Sequence, residues 1–252
     1  MPVSQTGNIN NLFFDGYYKE IWRSLIPEAL TKAEIDFVIE QAALQRGSKV
    51  LDLMCGYGRH ALALARKGID VTAIDNLVEY IDELNDTARK ENLPVSCIQA
   101  DVIEYEPSEI FDLVLCLGNN LSFFDGQETE KVFSMIGSHI KQGGLFIANS
   151  WTLAEIVFKN FVPKSWSDIN GLRYLVDSKV FFNPTRIEID TTIIPPEGLE
   201  EKKKAIDYIY SLNEMRAMLN KFGLEIKETW SIPGKKKFTL GEPRAYIVAG
   251  KE

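Results

Sequence analysis

The chain has 252 residues, 45% of them hydrophobic and 25% charged, a composition that supports one large core and excludes disordered and fibrous classes. Twenty-eight basic against thirty-six acidic residues give a net charge of -8, which opposes a phosphate backbone, so no nucleic-acid partner is expected. Three cysteines (Cys55, Cys97, Cys116) and two histidines (His60, His139) stand far apart, without the spacing of a metal site or disulfide framework, and no metal is expected.

In chain order, the opening MPVSQTGNINN has no basic segment followed by an apolar one, and no stretch approaches a membrane span in length; the chain reads as cytoplasmic, with no membrane partner. Residues 12–44 carry two helical patterns, the second opened by Thr31-Lys32-Ala33-Glu34 at capping-box spacing. Val50 to Leu53 reads as a short strand, Arg59 to Lys67 as a helix closed by Gly68, and Val71 to Ile74 as a second strand ending at Asp75. Leu77, Ile81, Leu84 and Ala88 recur at helical spacing, and Val95 to Gln99 and Phe111 to Leu117 read as the third and fourth strands. Val132, Ile136 and Ile140 predict a helix, then a turn at Gly143-Gly144 leads to a fifth strand, Leu145 to Ala148.

Residues 151–210 break the alternation. Tyr174 to Phe182, a turn at Asn183-Pro184-Thr185, Arg186 to Ile194, a charged turn and Ala205 to Tyr210 read as an inserted antiparallel three-stranded meander. Ser211 to Glu214 forms a capping box for a helix stopped by Gly223, and strands at Glu225 to Trp230 and Ala245 to Ala249 complete the chain. The lysine triplets at 202–204 and 235–237 read as solvated loops. Strands separated by helices need crossover connections, which makes this a doubly wound α/β domain with a mostly parallel sheet. Residues 1–150 and 211–252 are assigned to the core, 12–44 to a helical cap, and 151–210 to a substrate-covering insertion whose aromatics include Trp151, Phe158, Phe161, Trp166 and Tyr174.

The chemistry concentrates in the first strand-to-helix turn, VLDLMCGYGRHALALARKG (50–68), because open α/β sheets bind ligands at the carboxyl ends of strands. Gly56 and Gly58 let the backbone approach a ligand, and the following helix points unpaired N–H groups the same way. The pattern Gly-x-Gly-x-x-Ala alone also suits a dinucleotide. Asp52 decides between them: a pyrophosphate beside it meets roughly 1 to 4 kcal/mol of repulsion per charge pair, whereas an ammonium or sulfonium is attracted. Asp75, nineteen residues past Gly56 at the end of the second strand, is placed to reach the two hydroxyls of a ribose.

Asp52-Leu53-Met54-Cys55-Gly56-Tyr57-Gly58 resembles the first motif of class I S-adenosylmethionine-dependent methyltransferases, departing from it at Met54, where the family most often has glycine. Asp75 resembles their ribose acid and Ala100-Asp101-Val102 their adenine segment, and the likeness runs from about Leu51 through Trp151. It implies a Rossmann-like seven-stranded sheet whose last strand is antiparallel, with S-adenosylmethionine as cofactor. Asp101 would accept from the adenine amine while Val102 donates to a ring nitrogen; Leu117, Gly118 and Asn119 would line the reacting end, with Cys55 and Asn76 also at the cofactor. FFDGYYKEIW resembles a segment that folds over the cofactor in small-molecule members, and Tyr18 and Trp22, four apart, would face the sulfonium.

Transfer from a sulfonium is an in-line displacement that chiefly needs positioning and exclusion of water. No dedicated catalytic residue is therefore required, and His60, Tyr18 and Asn119 are the candidates by location. Tyr57, Arg59, Arg186, Tyr208 and Tyr210 are candidate acceptor contacts. Gly118-Asn119-Asn120-Leu121 stands where methyltransferases of nucleic-acid bases carry Asn-Pro-Pro-Tyr, so the expected acceptor is a small molecule methylated on nitrogen or oxygen, by a monomer or homodimer. The rivals are an NAD-dependent oxidoreductase, opposed by Asp52 and by the lack of a lysine four residues after any tyrosine, and a non-catalytic S-adenosylmethionine-binding protein.

Overall fold

The computed structural model describes residues 8–252; residues 1–7, the start of the opening stretch read above, lie outside the described residues. Two helices, α1 (Tyr17–Ser24) and α2 (Glu28–Gln41), precede the sheet. The alternation then runs β1 (Lys49–Leu53), α3 (Arg59–Ala65), β2 (Asp70–Asp75), α4 (Val78–Lys90), β3 (Val95–Gln99), β4 (Phe111–Cys116), α5 (Gly126–His139) and β5 (Ile140–Ser150). After α6 (Ala154–Asn160) come β6 (Lys164–Ile169), β7 (Leu172–Phe182), β8 (Thr185–Ile194) and β9 (Glu201–Tyr208). The chain closes with α7 (Leu212–Asn220), β10 (Leu224–Ile232), β11 (Lys236–Lys237) and β12 (Ala245–Lys251).

The main sheet has the order β11-β10-β12-β5-β4-β1-β2-β3. Strands β1 to β5 are parallel to one another, while β12 runs antiparallel to β5 and β10 antiparallel to β12. The winding reverses at β1, which has β2 on one side and β4 on the other, so the loops leaving β1 and β4 part and open a crevice at the carboxyl edge. Leu51 and Leu53 pack into the layer that holds Phe133, Ile136 and Leu219, and Val50 into the opposite layer with Val38 and Leu64. Side chains alternate along a strand, so Asp52 shares Val50's face and ends as a carboxylate in an apolar layer.

Four expectations change. The second helix begins at Glu28, capped by Pro27 with extended backbone, rather than at Thr31; Glu34 is therefore an interior helical residue, buried, and no part of a cap. The helix α5 ends at His139, and β5 starts at Ile140 and continues through Gly143 and Gly144. Gly143 (φ 74) absorbs an irregularity in the β4–β5 register instead of making a turn. Lys236 and Lys237 pair with β10 as an eighth strand, and Lys202 to Lys204 belong to β9, where the half-buried Lys203 pairs with Asp15 and donates to the Leu12 carbonyl.

The inserted segment forms four antiparallel strands in the order β6-β7-β8-β9, not three. The missed strand, KSWSDI, is almost wholly exposed and polar, which hides the alternation of a half-buried strand. Its hairpin turn is Asn170-Gly171, both at positive φ (53 and 83), the pairing that a two-residue hairpin favours. No helix among the described residues is long and apolar enough to cross a membrane.

Candidate active site

A cavity of about 910 Å³, its open mouth included, lies at the carboxyl ends of β1, β2 and β4. Met54 to Tyr57 contribute from the loop after β1, Asp75 and Asn76 from the end of β2, and Ala100 to Val102 from the loop after β3. Leu117, Gly118 and Asn120 close the β4 side, and Asn8, Asn10, Asn11, Phe14 and Trp22 cover the opening. The cover is strapped down: Asn8 Nδ2 donates to the Phe123 carbonyl (2.7 Å), and Asn10 exchanges hydrogen bonds with the backbone of Ile206 on β9 (2.9 Å each).

The turn after β1 packs three left-handed residues into five: Met54 (φ 53), Gly56 (φ 56) and Gly58 (φ 79). Met54 takes the conformation a glycine would take freely, at a cost of roughly 1 to 2 kcal/mol. Asn120 offsets this by donating to both the Met54 carbonyl (3.0 Å) and the Leu117 carbonyl (3.2 Å), joining the ends of β1 and β4. The two glycines differ in role. A Cβ on Gly56 would meet nothing within 4 Å, so its bare backbone faces the cavity, whereas one on Gly58 would overlap the Leu84 side chain. Gly58 thus permits the packing of α3 against α4 and does not line the cavity.

The two turn carboxylates are in different states. Asp75 accepts from the Gly56 N–H (2.8 Å) and the Leu77 N–H (3.0 Å) and lines the cavity. Burial raises its pKa, against the pull of those N–H donors. Asp52 is 1% exposed, and its Oδ2 has no hydrogen-bond partner. Burial, opposed by Arg59 and reinforced by Asp75, pushes it up to about 7. A carboxylate oxygen left bare in an apolar layer is costly unless a cation or donor reaches it. The Cys55 thiol between them is pushed well up by burial and by both carboxylates, so it stays protonated.

Behind the turn stands a network the sequence did not reveal. Glu34 on α2 accepts from Arg59 Nη1 (2.6 Å), His60 Nε2 (3.0 Å) and the Tyr246 hydroxyl (2.7 Å). Burial pushes the Glu34 carboxyl up, but the hydrogen bonds from His60 and Tyr246 and the charge of Arg59 outweigh it and bring it down to about 2. Glu34 is therefore ionised and can only accept, which fixes His60 as the Nε2–H donor. Burial and Arg59 push the His60 imidazole below its ordinary value, leaving it neutral at the cavity wall.

Of the residues singled out in the sequence, Trp22, Cys55, Gly56, Tyr57, Arg59, His60, Asp75, Asn76, Asp101, Val102, Leu117 and Gly118 line the cavity. Arg59 does so with its guanidinium engaged by Glu34 and Thr31, and Tyr57 with its ring under Arg23. The others stand elsewhere. Asn119 is buried behind the wall, donating to Thr152 and accepting from the backbone of Trp151 and Thr152. The N–H groups of Gly118 and Asn119 are not free for a ligand either, since both donate to Asn149 Oδ1. Tyr18, in the first turn of α1, packs on Phe13, Phe14 and Tyr174 instead of sharing the cavity with Trp22. Arg186 turns back on Glu188 and Phe181, the Tyr210 hydroxyl is spent on the Phe124 carbonyl (2.8 Å), and Tyr208 lines a separate 280 Å³ recess. Phe158 and Trp166 are exposed, so they build no pocket wall.

A family model described as a methyltransferase domain matches residues 50–144. The glycine/sarcosine N-methyltransferase of Aphanothece halophytica is 25% identical over 168 residues, 65% of this chain and 63% of that one. The ubiquinone biosynthesis O-methyltransferase of Rickettsia typhi is 28% identical over 173 residues, 62% of this chain and 68% of that one. The match thus spans less than two thirds of the first relative's length. The fold is shared with a crystal structure of an S-adenosylmethionine-dependent methyltransferase from Clostridium acetobutylicum, at a TM-score of 0.77 and 19% identity over 93% of this chain and 96% of that one. With the glycine turn, the two carboxylates and the sheet order already described, these matches support a methyltransferase domain at residues 50–144 within a fold shared with S-adenosylmethionine-dependent methyltransferases.

Proposed function

We propose that the chain transfers the methyl group of S-adenosylmethionine to a nitrogen or oxygen of a small-molecule acceptor. The observation that carries this is Asp52, a sealed carboxylate with a bare oxygen behind a glycine turn that opens on the cavity. The cationic amino-acid end of that cofactor satisfies such an oxygen, and a pyrophosphate is repelled by it. In this reading Asp75 holds the ribose, Asp101 and the Val102 N–H hold the adenine, and the Trp22 face lies toward the sulfonium. S-adenosylmethionine, when bound, supplies a methyl group already activated for in-line displacement.

What remains for the protein is to hold the acceptor and exclude water. Residues 8–14, α1 and the β6–β9 sheet serve as that cover, with 151–210 as an inserted unit on a core of 1–150 and 211–252. Relatives named for glycine, sarcosine and ubiquinone biosynthesis support a small acceptor, and a cytoplasmic enzyme goes with it. The test is S-adenosylhomocysteine formation from S-adenosylmethionine on adding a cell metabolite extract. Acceptor-dependent product is expected. Cofactor binding without product from any acceptor pool would leave a non-catalytic binding protein.

Asp75→Ala is expected to weaken S-adenosylmethionine binding by about 1.5 to 3 kcal/mol, the worth of hydrogen bonds to a charged group. Calorimetry reads this directly, and an unchanged affinity removes the ribose assignment. Because Asp75 also anchors the Gly56 and Leu77 N–H groups, the melting midpoint should fall as well.

A further inference from the structure

The four-stranded inserted sheet has one edge covered and the other open. On β9, the N–H and the carbonyl of Ile206 are both taken by the Asn10 side chain (2.9 Å each). At the opposite end β6 pairs with β7, and no other strand among the described residues lies against it. Lys164 to Asp168 are all exposed, with Trp166 at 73% in the middle. A regular edge strand with no bulge and no internal proline is a template for a further strand.

The register fixes which groups this edge offers. The Ser178 N–H donates to the Pro163 carbonyl (2.7 Å), so those two residues form a bonded pair. Bonded pairs recur at every second residue of an antiparallel ladder, and Ser165, Ser167 and Ile169 therefore turn their backbone groups toward β7. Lys164, Trp166 and Asp168 turn theirs outward. Their side chains share one face of the sheet with Arg173, Leu175 and Asp177 of β7. That face is the solvent side, because Ile169 and Leu172, which point the other way, join Ile21 in a buried cluster.

We propose that this edge is a homodimer interface: two copies of the chain pair β6 with β6, antiparallel, with Trp166 opposite Trp166 of the second copy. A strand paired antiparallel with itself is isologous, as a two-fold axis requires. In this register every outward residue forms a bonded pair, and Lys164 of each copy stands opposite Asp168 of the other. The charges select it. A slip of two residues sets Trp166 against Lys164 or Asp168, and a slip of four sets Lys164 against Lys164 or Asp168 against Asp168, where like charges repel. The neighbouring strands agree, since Asp177 flanks Lys164 (3.1 Å) and Arg173 stands opposite Asp168, so the signs alternate across the joint. Asp168 uses Oδ1 for the Gly171 N–H (3.0 Å), and Oδ2 is left to receive the lysine. Between these charged ends the two indoles cover each other, flanked by Leu175 of both copies.

The test is sedimentation velocity on the full chain without ligand, over roughly 1 to 500 µM, the range in which an interface one strand wide associates. The unaltered chain is expected to pass from one chain mass to two. Lys164→Asp sets aspartate opposite Asp168 at both ends, and Asp168→Lys sets lysine opposite Lys164; each should weaken dimerisation by about tenfold or more. Mixed in equal amounts, the two variants oppose every acid of one to a lysine of the other, and the dimer should return. Both positions are exposed, so the melting midpoint of the dilute variants should stay that of the unaltered chain. Trp166→Pro removes an outward N–H and no bond to β7, and it should abolish the dimer; it stands in if either charge variant fails to fold. A monomer throughout the range, a dimer that neither reversal weakens, or two weakened variants whose mixture stays monomeric overturns the proposal.

Discussion

Asp52→Asn is expected to make the ligand-free protein more stable at pH 8 and to abolish its affinity for S-adenosylmethionine. The carboxyl is neutral in both folded and unfolded chains below about pH 4. Between its ordinary 3.8 and about 7 the unfolded chain ionises while the folded chain keeps its proton, so folded stability falls as pH rises through that window. At 1.36 kcal/mol per pH unit the full span is worth about 4 kcal/mol, an upper value that asparagine, which never ionises, recovers above pH 7. Asp75 and Asp207 are also raised and pull the same way. Ligand-free melts should therefore show a higher midpoint at pH 5 than at pH 8, with the slope reduced in Asp52→Asn. Binding of a cation needs the ionised carboxylate, so affinity for S-adenosylmethionine should weaken below pH 7 by up to about tenfold per pH unit and proton release should accompany binding. A variant that binds as tightly as the unaltered chain refutes the role of Asp52.

Glu34→Ala carries the largest loss. It strands the Arg59 guanidinium, the His60 ring and the Tyr246 hydroxyl together in the interior. Removing one partner of a buried ion pair costs about 3 to 5 kcal/mol, which for a domain of this size lowers the melting midpoint by roughly 6 to 20 °C. The pH dependence has the opposite sign to that of Asp52. With its folded value brought down to about 2, Glu34 contributes stability that is complete above its ordinary 4.5 and is lost as pH falls toward 2. Acid unfolding of the variant should therefore lack that part of the transition. A midpoint within about 2 °C of the unaltered chain would mean that these three groups do not depend on Glu34.

The contrast between these two residues shows what a sequence can disclose. Asp52, Gly56 and Asp75 lie within 24 positions on one strand-turn-helix-strand unit, where the period of the strand and the place of the turn already set the direction of each group. Glu34 meets partners 25, 26 and 212 positions away, on α3 and on the last strand. Nothing local announces such a meeting, and the Thr31 to Glu34 spacing imitated a cap. Tyr18 and Trp22 share a helix, as their spacing predicts, but Tyr18 packs against Phe13 and Tyr174 while Trp22 lines the cavity. For β6 a signal was present: Asn170-Gly171 is a hairpin dipeptide between two strand-length segments, and the polar composition of KSWSDI masked it.

The most direct measurement is a thermal melt of the folded chain with S-adenosylmethionine, S-adenosylhomocysteine, NAD, NADP and no ligand. A ligand that binds only the folded state, at a hundred times its dissociation constant, adds about 2.7 kcal/mol. At roughly 2 to 4 °C per kcal/mol for a chain of this length, the midpoint should rise by about 5 to 11 °C with either sulfur nucleoside. No shift is expected with NAD or NADP, whose pyrophosphate must approach Asp52. A rise with NAD and none with S-adenosylmethionine or S-adenosylhomocysteine would contradict the cofactor assignment and, with it, the role given to the bare carboxylate at the end of β1.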